Sequence, residues 1–300
     1  MENRLIYDMS DATYRTDPCV VPSLTASCAK ALVKRSPAHA LINHPRAQEL
    51  TNQPVYVREY HPSEALETGT IIHGLMLGNA SDILEQVDAK DWRTKAAKEE
   101  RDRIRSEGKT PVLVKQMVKA SNACQMITAR LKDMGLEHYV GGETEVTAMW
   151  AEESDQQRGD VMDFVQCRGR MDLLSDDMTV ITDLKTCESA HPKVIQRKIA
   201  DFGYDVQAAA YVSGLEHIHP ELQGRVQFRF LFMELSPPYS VTPVMLAGTY
   251  IALGISKWRR AVNLWAKCVA EQRWPAYTED VVRVEASKWA MEEEYEEEDD

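Results

Sequence analysis

The residues best suited to chemistry concentrate between Gly169 and Lys185, in Gly-Arg-Met-Asp-Leu-Leu-Ser-Asp-Asp-Met-Thr-Val-Ile-Thr-Asp-Leu-Lys. The polar cluster Asp176-Asp177-Met178-Thr179 lies between two apolar runs and reads as the turn of a β-hairpin. Strand side chains alternate faces, so Asp183 and Lys185 share one face and Leu184 takes the other. Symmetric pairing about the turn sets Leu174 opposite Ile181, Asp172 opposite Asp183 and Arg170 opposite Lys185. Directly opposed residues carry Cβ atoms about 4.5–5.5 Å apart. Two carboxylates at that distance repel unless a cation lies between them, and two cations need an anion. Leu173, Leu174, Val180, Ile181 and Leu184 are apolar on both faces, so the charges begin where the hairpin is buried and must find partners. A divalent metal ion bound to a phosphate diester would resolve both conflicts, which is the chemistry of a nuclease centre.

Further along, Gln207 and Tyr211 stand four residues apart on one helix face, with Tyr204 three residues earlier on the same side. An amide and two phenols in that row could touch a phosphate backbone, or simply pack a helix on a sheet. His73 follows Ile71-Ile72 on a helix, where a lone histidine is more often a packing residue than a ligand. Glu143 and Glu145 share strand parity with Thr147 and Met149, and the pattern alone does not choose between them. Lys98, Arg101 and Arg105 form a basic stripe, but Glu99, Glu100 and Asp102 interleave and favour a solvated helix face.

The elements that must carry these groups follow from periodicity and punctuation. Residues 23–43 read as helical, capped by Ser23 and broken near Pro37, and Pro45 to Pro62 as a connector. Helices are expected over 64–77, 90–107 and about 112–134, the last ending at Gly135. Alternation over 143–150 and 161–167 then joins the hairpin as a sheet. Helix returns over 192–216 with an interruption near Gly203. A strand covers 225–235 up to Pro237-Pro238, and a long helix covers about 245–272 before Trp274-Pro275. The expected fold class is α/β (α+β), a mixed central sheet flanked by helices. Residues 1–135 form a helical N-terminal part that contributes His73, 136–290 a catalytic core, and 291–300 a disordered acidic tail.

Composition sets the frame. The 300 residues carry 44% hydrophobic and 27% charged side chains, ordinary for a globular chain. No apolar run reaches the roughly 20 residues needed to span a membrane, and the N-terminus lacks the form of a signal peptide, so the expected compartment is cytoplasmic. The six cysteines show no Cys-x-x-Cys pair, which argues against zinc ribbons, iron–sulfur clusters and a disulfide framework. The formal charge of −12 falls to −4 without the eight acidic groups of 292–300. Such a body neither demands nor excludes nucleic acid.

Gly-Arg-Met-Asp172, Asp183-Leu-Lys185 and Gln207-x-x-x-Tyr211, in this order, resemble the PD-(D/E)xK nuclease superfamily in its RecB/RecE-like branch. The flanking Ser36-Pro-Ala-His39, Gly69-x-x-x-His73, Glu145-Val-Thr-x-x-Trp150 and Trp274-Pro-x-Tyr277 are similar to the RecE-like (exonuclease VIII) nuclease domain, over roughly residues 20–290. Met171 departs from the proline of the superfamily motif. The resemblance implies a restriction-endonuclease-like core in which Asp172 and Asp183 bind metal and Lys185 activates water and offsets phosphate charge. His73 and Glu145 join the metal shell, Glu145 being favoured over Glu143. The Leu184 backbone carbonyl is a further ligand, and Gln207 and Tyr211 complete the motif. It further implies one or two Mg²⁺ ions, with Mn²⁺ as substitute, and exonuclease action on linear double-stranded DNA ends. Single strands would be left for an annealing partner in recombination, with homo-oligomeric ring assembly. A Cas4-like or restriction-like endonuclease and a catalytically silent DNA-binding module are the alternatives. The Cas4-like form needs four cysteines for an iron–sulfur cluster, and only Cys268 follows Cys187.

Overall fold

The strand residues Phe228, Phe230 and Phe232 point to one side of the sheet, and Leu231 and Met233 to the other. A strand apolar on both faces must be covered on both, and that requirement organises the molecule. The computed structural model describes residues 3–55, 64–158, 161–278, 280–289 and 291. In chain order the strands are β1 (Arg4–Ile6), β2 (Leu84–Val87), β3 (Thr110–Leu113), β4 (Glu143–Arg158), β5 (Val161–Leu174), β6 (Val180–Cys187), β7 (Gln227–Glu234) and β8 (Val241–Met245). The helices are α1 (Asp11–Arg15), α2 (Ala26–Lys34), α3 (Pro37–Leu41), α4 (Glu64–Leu77), α5 (Ala80–Ile83), α6 (Lys95–Ser106), α7 (Val114–Asp133), α8 (Pro192–Phe202), α9 (Tyr204–Ile218) and α10 (Gly248–Glu271).

The main sheet has the order β1-β4-β5-β6-β7-β8. Its pairs are antiparallel except β6 with β7, which run parallel because α8 and α9 form the crossover between them. Trp150, Cys167, Ile181, Phe230 and Phe232 face α2, α9 and α10 in one core. Leu173, Leu184, Leu231 and Met233 face α4 and α7 in the other. Fully burying each such side chain contributes about 1.5–3 kcal/mol. At Gly254 the helices α9 and α10 meet main chain to main chain, since a Cβ there would collide with the Asp205 carbonyl oxygen.

The mixed α/β architecture, the β5–β6 hairpin and the break at Gly203, which is left-handed with φ 63° and separates α8 from α9, agree with the sequence. Other expectations need correction. Residues 23–43 form two helices, and Thr25 caps α2 by accepting from Cys28 N. Ser23 is spent elsewhere. Its N–H and hydroxyl both donate to the Asp17 carboxylate, at 2.8 and 2.9 Å. The expected helix near 112–134 starts at Val114, because Val112 and Leu113 belong to β3, which pairs in parallel with β2. The edge strands β1 and β8 had not been expected. Part of the 45–62 connector and the acidic run 292–300 lie outside the described residues.

Candidate active site

Register places the acids in a row. Leu174 pairs with Ile181 and Leu173 with Thr182, the expected hairpin alignment. One step further it sets Asp172 level with Asp183, but the β5–β6 pairing stops there. On the other side of β5, Thr144–Leu173 and Val146–Met171 bracket a position where Glu145 stands level with Asp172. Glu145 has φ 55°, a left-handed conformation that a non-glycine residue adopts only under local constraint. Three carboxylates from three neighbouring strands thus line up across the sheet. Glu143, opposite Leu174, stands two pairs away from that row.

The end of the pairing explains how residues from both faces meet. Beyond Thr182 the edge of β6 is released from β5, and the Asp172 carboxylate accepts from Leu184 N at 2.7 Å. From the α4 side His73 Nδ1 comes within 3.7 Å of the same Asp172 oxygen. On the α9 side Gln207 Nε2 donates to Asp183 Oδ1 at 2.6 Å. Lys185 Nζ lies 2.5 Å from Asp183 Oδ2 in an ion contact poorly angled for a hydrogen bond, so this buried oxygen has no hydrogen-bond donor. The Lys185 ammonium also rests 4.8 Å from the Tyr204 ring centroid. A cavity of about 580 Å³ opens at this place, lined among others by His73, Glu145, Leu184, Lys185 and Tyr204.

Electrostatics follow from the crowding. Burial raises the pKa of Asp172, and Asp183 raises it further against the opposing pull of His73 and Lys185. Burial also raises that of Glu145, with Arg170 opposing and Asp172 adding to the rise. Burial works against the Lys185 ammonium, but Asp183 and Asp172 outweigh it and leave its pKa above the ordinary value. The acids are short of positive charge, and the lysine is held charged by them.

One expected contact changes. Arg170 does not oppose Lys185. It turns to Glu145, with Nε 3.2 Å from Oε2, because no β6 residue pairs with β5 at that level. Tyr211 is buried against β5, where burial raises its pKa and Tyr14, Asp183 and Asp172 add to the rise. Its ring underlies Gly169, where a Cβ would come within 2.7 Å of Tyr211 Cε1, and its edge meets Phe228. Sequence reasoning also missed Lys30 on α2. Its Nζ lies 5.8 Å from the Tyr204 ring centroid, and burial together with nearby Lys185 pushes its pKa down to about 8. The available signal was a lysine on the otherwise uncharged stretch Ala26–Leu32. Asp11 and Arg15 of α1, which also line the cavity, gave no signal at all.

The donors fit a hard divalent cation in kind: three carboxylates and an imidazole, with Asp183 Oδ2 contacted only by the Lys185 ammonium. Among the described residues no three such groups already enclose a single point. Leu184 N, Gln207, Lys185 and Arg170 occupy the carboxylates instead.

Comparison with known proteins gives a family. The model of a "PDDEXK-like domain of unknown function (DUF3799)" matches residues 26–286. No curated protein matches the chain. The crystal structure of a "Putative exonuclease" from Eubacterium rectale superposes with a TM-score of 0.59 at 13% identity, covering 95% of this chain and 98% of that one. At that identity the likeness shows the fold. A phage related exonuclease from Haemophilus somnus 129PT, 14% identical over 66% of this chain and 95% of its own, has a TM-score of 0.28, too low to carry an argument. Among the described residues no helix is long and apolar enough to cross a membrane.

Proposed function

The chain belongs to the PDDEXK-like DUF3799 family, and on that premise we propose that it is a metal-dependent nuclease acting as an exonuclease on linear double-stranded DNA. The observation that carries this reading is the row Glu145, Asp172 and Asp183, with Lys185 beside it, at the opened edge between β5 and β6. Domains of this kind generally use divalent metal ions, and Asp172, Asp183, Glu145 and His73 would hold Mg²⁺ or Mn²⁺ here, with the Leu184 carbonyl as a further oxygen. The bound ion would supply Lewis acidity at the scissile phosphate and its attacking water.

The chain's own groups do the rest. Lys185, kept protonated by its two aspartates, places fixed positive charge where the phosphorane-like transition state gains negative charge. Gln207 fixes the orientation of Asp183. Tyr204 supplies the wall against which the lysine is held, and Tyr211 supports the strand that carries Asp172 from beneath Gly169. Recombination, a single-strand annealing partner and ring assembly are parts of this proposal that rest on the sequence resemblance alone.

A catalytically silent DNA-binding module is the second reading, favoured by the lack of three already converged ligands among the described residues. One experiment separates the readings. End-labelled linear duplex and covalently closed circular DNA are each incubated with Mg²⁺ and with EDTA, with Lys185→Ala as control. Metal-dependent loss of the linear duplex only is the expected result, and the label then gives the polarity. Nicking of the circle makes the protein an endonuclease. Inertness towards both, with wild type equal to Lys185→Ala, favours the silent module.

A further inference from the structure

We infer that Arg170, clamped from behind by the segment 9–14, is a positioning residue that presents Glu145 to the metal ion; this rests on the reading of the site above. Glu145 leaves the regular ladder at its left-handed φ and needs something to aim its carboxylate. The Arg170 fork meets that need, with Nε 3.2 Å from Glu145 Oε2 and 3.4 Å from Thr147 Oγ1. On the far side Nη1 donates to Asp11 Oδ1 at 3.2 Å and Nη2 donates to Met9 O. The guanidinium carbon lies over the Tyr14 ring, 4.8 Å from its centroid. A planar fork pinned at all three nitrogens has one orientation, and its Nε edge sets a fixed positive charge against one oxygen of Glu145.

The clamp is part of the cavity wall and not merely an anchor. Asp11 and Glu145 both line the cavity that contains Lys185 and His73. Anchoring alone is already provided two residues earlier, where Arg168 joins β5 to Asp17 at 2.9 Å and to Ser23 and is enclosed completely. Arg170 has the same strand face and a second partner, the acid in line with Asp172. Burial favours the neutral form of Glu145, and Arg170 is the chief charge opposing it. The segment 9–14 lies before the region 26–286 that matches the family model, so this chain completes its centre with residues from outside that region.

The test is calorimetric titration of the full chain with Mn²⁺ in the absence of DNA, on wild type, Arg170→Ala, Glu145→Ala and the double variant. Groups that orient metal ligands typically change affinity about 10–100-fold when removed. Arg170→Ala should therefore weaken Mn²⁺ about tenfold, and Glu145→Ala at least as much. The double variant should bind no more weakly than Glu145→Ala alone, because Arg170 acts only through Glu145. Additive losses in the double variant, or wild-type affinity in Arg170→Ala, would overturn the inference while leaving the metal site intact. Should Arg170→Ala fail to fold, Arg170→Lys and Asp11→Asn carry the same comparison, with unchanged affinity in both counting against it. A wild type that takes up no Mn²⁺ removes the reading of the site and this inference together.

Discussion

Asp17, buried beside β5, and Asp172, half-buried within it, are treated in opposite ways by the protein. Asp17 receives Ser23 N–H, the Ser23 hydroxyl, Arg168 and His44, the last at 3.2 Å. Burial alone would raise its pKa, but His44, Arg168 and Ser23 overcome it and bring it down to about 2. Asp172 has one main-chain donor, a histidine at 3.7 Å and another aspartate, and its pKa goes up. The first arrangement is closed, a joint that fastens the 16–24 loop to the sheet. The second is left short of positive charge in a cavity. A structural carboxylate is recognised by donors on every side, and a ligand carboxylate by the donors that are missing.

The contrast breaks most visibly at the joint. Asp17→Ala leaves Arg168 buried without its carboxylate and should cost about 3–5 kcal/mol of stability, measured by urea unfolding. Folded Asp17→Ala should still cleave DNA; loss of activity at unchanged stability would reverse the two roles. Lys185→Ala should do the opposite, lowering the cleavage rate about 10²–10³-fold while DNA binding in EDTA persists. The pH dependence sharpens the comparison next. The folded pKa of Asp17 lies below its unfolded value, so its contribution of about 2 kcal/mol is complete above pH ~4 and disappears as pH falls through about 2. The stability gap between wild type and Asp17→Asn, from unfolding curves at pH 6 and below pH 3, should therefore close in acid. A gap that stays constant would show that Asp17 does not ionise as the joint requires. The smallest effect is expected at Asp183→Asn. Relief of the crowding with Asp172 is offset by loss of the Lys185 ion pair, so the stability of the metal-free protein should change by less than about 1 kcal/mol while the heat of Mn²⁺ binding is abolished. A lower melting temperature with metal binding intact would place the ligands elsewhere.

Much of the centre was legible because it obeys period-two alternation. The turn at Asp176–Thr179 fixed the alignment Leu174–Ile181, and with it the level of Asp172 and Asp183. The helix break at Gly203 could be read from a residue that tolerates φ 63°. What escaped depended on departures from regularity. Arg170 was expected opposite Lys185, but the ladder ends at Leu173 when a side chain takes over Leu184 N. Ser23 looked like a helix cap, but a residue six positions earlier claims it. The four-residue strands β2 and β3 are too short to show a period, and Pro111 in β3 disguises it further. Glu145 and Glu143 share parity, and only cross-strand register separates them.

The contact at Gly254 gives the molecule a remote weak point. Asp205, whose carbonyl oxygen leaves no room for a methyl group there, lies between Tyr204 and Gln207, the two α9 residues that hold Lys185 and Asp183. Gly254→Ala would act as a wedge driven between two beams, levering the front of α9 off the sheet. Genetically it would pass for an active-site lesion although every reactive side chain is still encoded, and a second small-for-large change on the α9 side could suppress it.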